Sequence, residues 1–236
     1  MEGKLLLAAL GRGTQQLYAN GPWEPTGDLE VCDEKFAHLP ICVPENDDHP
    51  NSIIGGGQLN ILAAAELWRQ LDPAIVVFAY GNRSLHLQEY GFPSESEIMG
   101  EYFAKLIGDP AAASRLVDVF DEKEWNVGGA GTLQELHNIF SLARKRDIQN
   151  VTIVTVAVHA ARVAFMVRGY SGEFGDLKIS IAVSEYVLLR ANPEKYADRV
   201  KRIFASQSYI RNYEREISGM NALLAGTYKP IASIRK

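Results

Sequence analysis

Apolar residues along this chain fall into short unbroken runs, separated by longer stretches in which they recur every third or fourth position. The runs are "SII" from Ser52, "AIVVFAY" from Ala74 to Tyr80, "RLVDVF" from Arg115 to Phe120, "VTIVTV" within "NVTIVTVAVHAARVAF", and "LKISIAV" from Leu177 to Val183. Runs of this length, rich in β-branched residues and bounded by turn residues, predict buried strands. The stretches between them predict helices. "NILAAAELWRQL" has Asn60 as its expected N-cap, and Ser94-x-x-Glu97 forms a capping box for a helix that stops at Gly108. Thr132-x-x-Glu135 reads as a second capping box, opening a helix with Leu133, Leu136, Phe140 and Ala143 on one face. "HAARVAFMVRG" continues the alternation. From Ser184 to Gly226 the pattern is helical, interrupted at Asn192 and Pro193, with Tyr196, Val200, Ile203 and Phe204 as its apolar stripe. Strands apolar on both faces that alternate with helices predict an α/β fold: a Rossmann-like open, mainly parallel sheet of about five strands, helices on both faces, and a C-terminal helical extension.

Punctuation divides the chain. Residues 1–50 are rich in turn signals and read as an irregular acidic N-terminal extension, 51–191 as the α/β core, and 192–236 as a basic helical extension packing on that core. The acidic start (Glu24, Asp28, Glu30, Asp33, Glu34) and the basic tail (Lys195, Arg199, Lys201, Arg202, Arg211, Arg215) are expected to neutralise one another in the fold, the alternative being a tail that docks a partner. Over 236 residues the net charge is −5, which offers nucleic acid no bulk attraction. Cys32 and Cys42, with His38 and His49, match no familiar zinc spacing, so reduced thiols and no metal are expected. The apolar run in "MEGKLLLAALGRG" is too short to span a bilayer, and a cytoplasmic location is the expectation.

Candidate chemistry follows from topology. In an open parallel sheet the ligand crevice lies outside the carboxyl ends of the strands, at the point where strand order reverses. The residues just past predicted strand ends are Gly55, Gly56 and Gly57, then Gly81, Asn82, Arg83 and Ser84, then His159 with Arg162. Two cations at a helix start are electrostatically uphill unless something negative sits beside them. That partner is either a ligand phosphate or carboxylate, or a carboxylate of the protein, for which Glu95 and Glu135 are the candidates. In the ligand reading Arg83 and Arg162 hold an anion, His159 is the acid/base, and Glu95 orients a ligand hydroxyl or His159. In the competing reading the cluster is an internal ion-pair network of a non-enzymatic interaction module. "GGGQLN" fits neither the P-loop nor the complete dinucleotide fingerprint, and Gly11-Arg12-Gly13 is a weaker glycine motif still. Serines 84, 94 and 96 lack the nucleophile-elbow glycines. Phosphoester or phosphoryl-transfer chemistry suits this set better than hydride transfer.

Taken in order, "IIGGG", "VVFAYGNRS", "SESEIM" with Glu95, "GTLQE" with Thr132, and "TVAVHAARV" with Thr155, His159 and Arg162 resemble the pattern of the YdcF-like family, which includes the SanA and ElyC envelope-related proteins. The likeness spans about residues 52–169. Where the family has Asn, Glu and Asn around the threonine, this chain has Gly131, Gln134 and Glu135, so the family's carboxylate is either absent or displaced by one position. The resemblance implies a Rossmann-like sheet with a polar pocket at the strand carboxyl ends, S-adenosylmethionine as ligand for one branch, and a link to cell-envelope metabolism for others. The expected site binds a small anionic or nucleotide-like ligand through Gly55, Gly56, Gly57, Asn82, Arg83, Glu95, Thr132, Gln134, Glu135, His159 and Arg162.

Overall fold

The computed structural model describes residues 4–15, 21–31, 52–80, 93–117 and 131–228. Its strands are β1 (Leu5–Ala9), β2 (Thr14–Gln15), β3 (Glu24–Pro25), β4 (Leu29–Val31), β5 (Ser52–Ile54), β6 (Ile75–Phe78), β7 (Asn150–Thr155) and β8 (Lys178–Val183). Its helices are α1 (Gly57–Leu71), α2 (Glu95–Ile107), α3 (Pro110–Arg115), α4 (Thr132–Lys145), α5 (Ala157–Gly169), α6 (Ser184–Ala191), α7 (Pro193–Ala205) and α8 (Gln207–Leu224).

The main sheet has four strands in the order β6-β1-β7-β8, all parallel, which bears out the Rossmann-like open α/β class. Beyond β6, Leu116 forms a parallel bridge to Val76 and the Val117 N–H donates to Val76 O at 3.0 Å, where the third strand is expected; Arg115 belongs to α3, and residues 118–120 of that run lie outside the described residues. From β1 the chain first builds outward to β6 and then crosses to β7 on the other side. The crevice between the carboxyl ends of β1 and β7 is therefore the switch point.

Two expectations are corrected here. Residues 5–9 are the second strand of the sheet, flanked on both sides, and not part of an extension: Leu6, Leu7, Ala8 and Ala9 are all essentially buried. Alternate side chains of β1 feed opposite cores, Leu7 and Ala9 with Leu59, Phe78 and Val154, and Leu6 and Ala8 with Val77, Leu136 and Ile153. The run at Ser52 is not in this sheet either. It pairs antiparallel with β4 as a separate two-stranded ribbon.

Local signals hold where they are satisfied locally. Ser94 Oγ accepts the Glu97 N–H at 2.9 Å, Gly108 closes α2 at φ 69°, and Asn192 caps α7 with Pro193 at its first position. Asn60 is not a cap, because α1 already begins at Gly57. It is fully buried, donating from Nδ2 to Leu10 O at 2.8 Å and accepting from Ser184 Oγ at 2.7 Å, so it ties the end of β1 to α6. The C-terminal helices pack on the core as expected: Tyr196 and Ile203 join the same apolar cluster as α1, and α8 lies against α5. Asp28 receives a two-pronged contact from Arg199, Nε at 2.9 Å and Nη2 at 2.6 Å, so this acidic–basic pair is neutralised within the fold. Among the described residues no helix is long and apolar enough to cross a membrane.

Candidate active site at the sheet switch point

The loop leaving β1 is Gly11-Arg12-Gly13, and its backbone holds two carboxyl groups. Gly11 N–H donates to Glu135 Oε1 at 3.0 Å, and Gly13 N–H donates to Glu95 Oε1 at 2.5 Å. A Cβ at Gly11 would lie 2.8 Å from Glu95 Oε1, so a side chain there would displace the carboxyl group. Gly13 adopts φ 89°, the left-handed region that glycine enters without strain. Between them, Arg12 donates from Nε to Gly55 O at 2.9 Å and places Nη1 3.9 Å from Glu216 Oε1.

On the other side of the crevice, β7 ends at Thr155 and α5 begins at Ala157. Glu185, fully buried on α6, accepts the Ala157 N–H at 2.8 Å and so fills the helix amino end with a protein carboxylate. His159 and Arg162, spaced to share a face of α5, converge on one residue of α8. His159 Nδ1 is 2.8 Å from Glu216 Oε2, and Arg162 Nε is 2.8 Å from the same oxygen. Gly219, one turn further along α8, admits the guanidinium, since a Cβ there would meet Arg162 Nη1 at 2.7 Å. The negative partner demanded by the two cations is thus Glu216, which corrects the assignment of that role to Glu95 or Glu135.

His159 Nε2 is 3.2 Å from Thr132 Oγ1, the first residue of α4. Nδ1 also lies 3.3 Å from Arg162 Nη2, a donor, but its shorter contact is the 2.8 Å one to Glu216, which only accepts when ionised; this assigns the imidazole proton to Nδ1 and leaves Nε2 to accept the threonine hydroxyl. Thr132 is not the cap of α4. Gly131 holds that position without a side-chain hydrogen bond, and the threonine hydroxyl and the Glu135 carboxyl, expected to close on their own helix end, instead reach across to α5 and the β1 loop.

Burial separates the protonation states. It pushes Glu135 up to about 8, against the Gly11 N–H and with the charge of Glu95 adding to the rise. Glu95 is likewise raised by burial, opposed by the N–H groups of Gly13 and Arg12. Burial lowers His159 to about 4 despite its hydrogen bond to Glu216. Burial would raise Glu216, but the His159 hydrogen bond and the charges around it hold this carboxyl below its ordinary value. At neutral pH the site therefore holds a neutral imidazole, an ionised Glu216 and a protonated Glu135.

Of the expected site residues, Glu95, Thr132, Glu135, His159 and Arg162 meet around this crevice. Asn82 and Arg83 lie outside the described residues, as do Gly81, Ser84, Cys32, His38, Cys42 and His49. Gln134 is turned along its own helix, donating to Asn138 Oδ1 at 2.8 Å. Gly55, Gly56 and Gly57 make their close approaches to protein: Gly56 N–H donates to Gly27 O at 2.6 Å, and Gly57 N–H to Thr26 Oγ1 at 3.0 Å. A Cβ on Gly56 would collide with Val156 Cγ1. Their link to the site is the Gly55 carbonyl that orients Arg12. Arg12, Glu185 and Glu216 were not among the expected residues; the visible trace of Arg12 is its place between two glycines after an apolar run. Comparison of the chain with protein-family models, with curated proteins and with solved structures finds no match.

Proposed function

We propose that the crevice between β1 and β7 is an acid–base site acting on a small anionic ligand, with phosphoester hydrolysis or phosphoryl transfer as its chemistry. The observation that carries this reading is the hydrogen-bonded chain Thr132–His159–Glu216, with a hydroxyl on one imidazole nitrogen and a carboxylate on the other. Such a chain readies Nε2 to take a proton while the carboxylate stabilises the imidazolium that forms. Glu135, three residues after Thr132 on α4 and raised by burial to about 8, is a candidate acid beside the chain. The amino end of α4, with no side-chain cap, favours a negatively charged ligand beside Thr132. Methyl transfer from S-adenosylmethionine rests on the resemblance to the YdcF-like family.

One observation favours a second reading. Glu216 lies 2.8 Å from both His159 and Arg162, as an internal ion-pair network of a non-enzymatic module requires. Assay of the purified chain against p-nitrophenyl phosphate, bis(p-nitrophenyl) phosphate and a nucleotide panel separates the two. The catalytic reading expects turnover that falls at least about 100-fold in His159→Ala with an unchanged circular dichroism spectrum. No turnover of any panel member by the native chain would overturn it in favour of the network.

A further inference from the structure

We infer that Thr132 is the nucleophile of this site and carries the transferred phosphoryl group on Oγ1 as a covalent intermediate, an inference that rests on the catalytic reading above. His159 is 2% exposed, and its two nitrogens face Glu216 and Thr132. A base so enclosed does not touch a ligand directly; its outlet is the hydroxyl on Nε2. Thr132 itself is half-buried, which makes it the most exposed of the three residues, His159 and Glu216 being 2% and 4% exposed. The common reason for a threonine at a helix start, capping, does not apply, because Gly131 occupies the cap position. The arrangement is nucleophile, base and orienting carboxylate in hydrogen-bond sequence, and it draws its members from α4, α5 and α8.

The step balances without a further reagent. Oγ1 attacks phosphorus as its proton passes to His159 Nε2; the Oγ1–P bond forms, the bond from phosphorus to the leaving oxygen breaks, and that oxygen takes the proton from the imidazolium. Water or an acceptor hydroxyl then gives its proton to Nε2 and attacks phosphorus. The P–Oγ1 bond breaks, and Oγ1 recovers its proton from His159. Backbone N–H groups at the start of α4 face the charge that develops on the phosphoryl oxygens.

The test combines a covalent probe with a turnover assay. Native chain, Thr132→Ser, Thr132→Val and His159→Ala are treated with diisopropyl fluorophosphate and mapped by peptide mass spectrometry, and each is assayed with p-nitrophenyl phosphate. We expect the diisopropylphosphoryl group at position 132 in the native chain and in Thr132→Ser, labelling slowed at least about 100-fold in His159→Ala, and no label at that position in Thr132→Val, whose melting temperature stays near native. Turnover that persists in Thr132→Val, or a label confined to other residues while turnover proceeds, overturns the inference and leaves the catalytic reading standing. Labelling of Thr132 without phosphoester turnover supports the nucleophile and refutes the phosphoester reading; neither label nor turnover overturns both.

Discussion

Two helix amino ends face the same crevice, and they are treated in opposite ways. At α5 the free N–H of Ala157 is taken by Glu185, and His159 and Arg162, in the first two turns, are gathered onto Glu216, so that end is closed by the protein's own carboxyl groups. At α4 the cap is a glycine without a side chain to offer, and the polar residues of the first turn turn outward from the helix, Thr132 to His159 and Glu135 to the β1 loop. A basic helix start is therefore not by itself a ligand site. Here it positions a base, and the glycine-capped end beside it presents the hydroxyl.

The largest effect should come from opening the closed end. Glu216→Ala strands Arg162 and His159 in a mostly buried setting and should cost about 3–5 kcal/mol in urea unfolding; a loss below about 1 kcal/mol would mean that solvent already screens the network. The next is a pH effect with opposite signs on the two sides. Glu135 is raised, so its contribution is fully present below the ordinary carboxyl value and is lost as pH rises to about 8, a slope of about 1.4 kcal/mol per pH unit. His159 is lowered, so its contribution is present above 6.5 and is lost as pH falls toward about 4. Glu135→Gln should therefore reduce the fall in stability between pH 6.5 and 8, to which the raised Glu95 and Glu185 still contribute, while leaving a decline on the acid side; an unchanged alkaline slope would show that Glu135 is ionised in the fold.

Smaller effects give the comparison its controls. Arg199→Met breaks the half-buried pair with Asp28, away from both helix ends, and should cost about 1–3 kcal/mol in urea unfolding. Thr132→Val, at the glycine-capped end, should change stability by less than about 1 kcal/mol in the same experiment. If the threonine proved as costly as Glu216, the contrast between the two ends would fail.

How much of this was legible in the sequence depends on whether a residue's partner is local. β7, the His159–Arg162 pair after it, the helix signals at Ser94 and Gly108 and the break at Asn192 are read from neighbours within a few positions, and they stand where expected. β1 was hidden because a five-residue apolar run near the start looks alike whether it fills the centre of a sheet or begins an irregular arm; only its pairing with β6 and β7 decides. Thr132 and Glu135 have capping-box spacing, yet each finds a distant partner. Glu216 follows the charged, exposed Glu214 and Arg215, with nothing in composition to mark it. Its phase does: Ser208, Asn212 and Glu216 recur every fourth residue and are all buried, a polar stripe on the inward face of α8.

The account turns on a neutral imidazole with its proton on Nδ1, facing Glu216, and its lone pair on Nε2, facing Thr132. Nitrogen-15 NMR of the histidine side chains, followed from pH 7 to 4 and assigned by His159→Ala, measures this directly. The account predicts a neutral Nδ1–H tautomer for His159 at pH 6–7 that titrates near 4. An imidazolium at pH 6–7, or a neutral ring with its proton on Nε2, would contradict it.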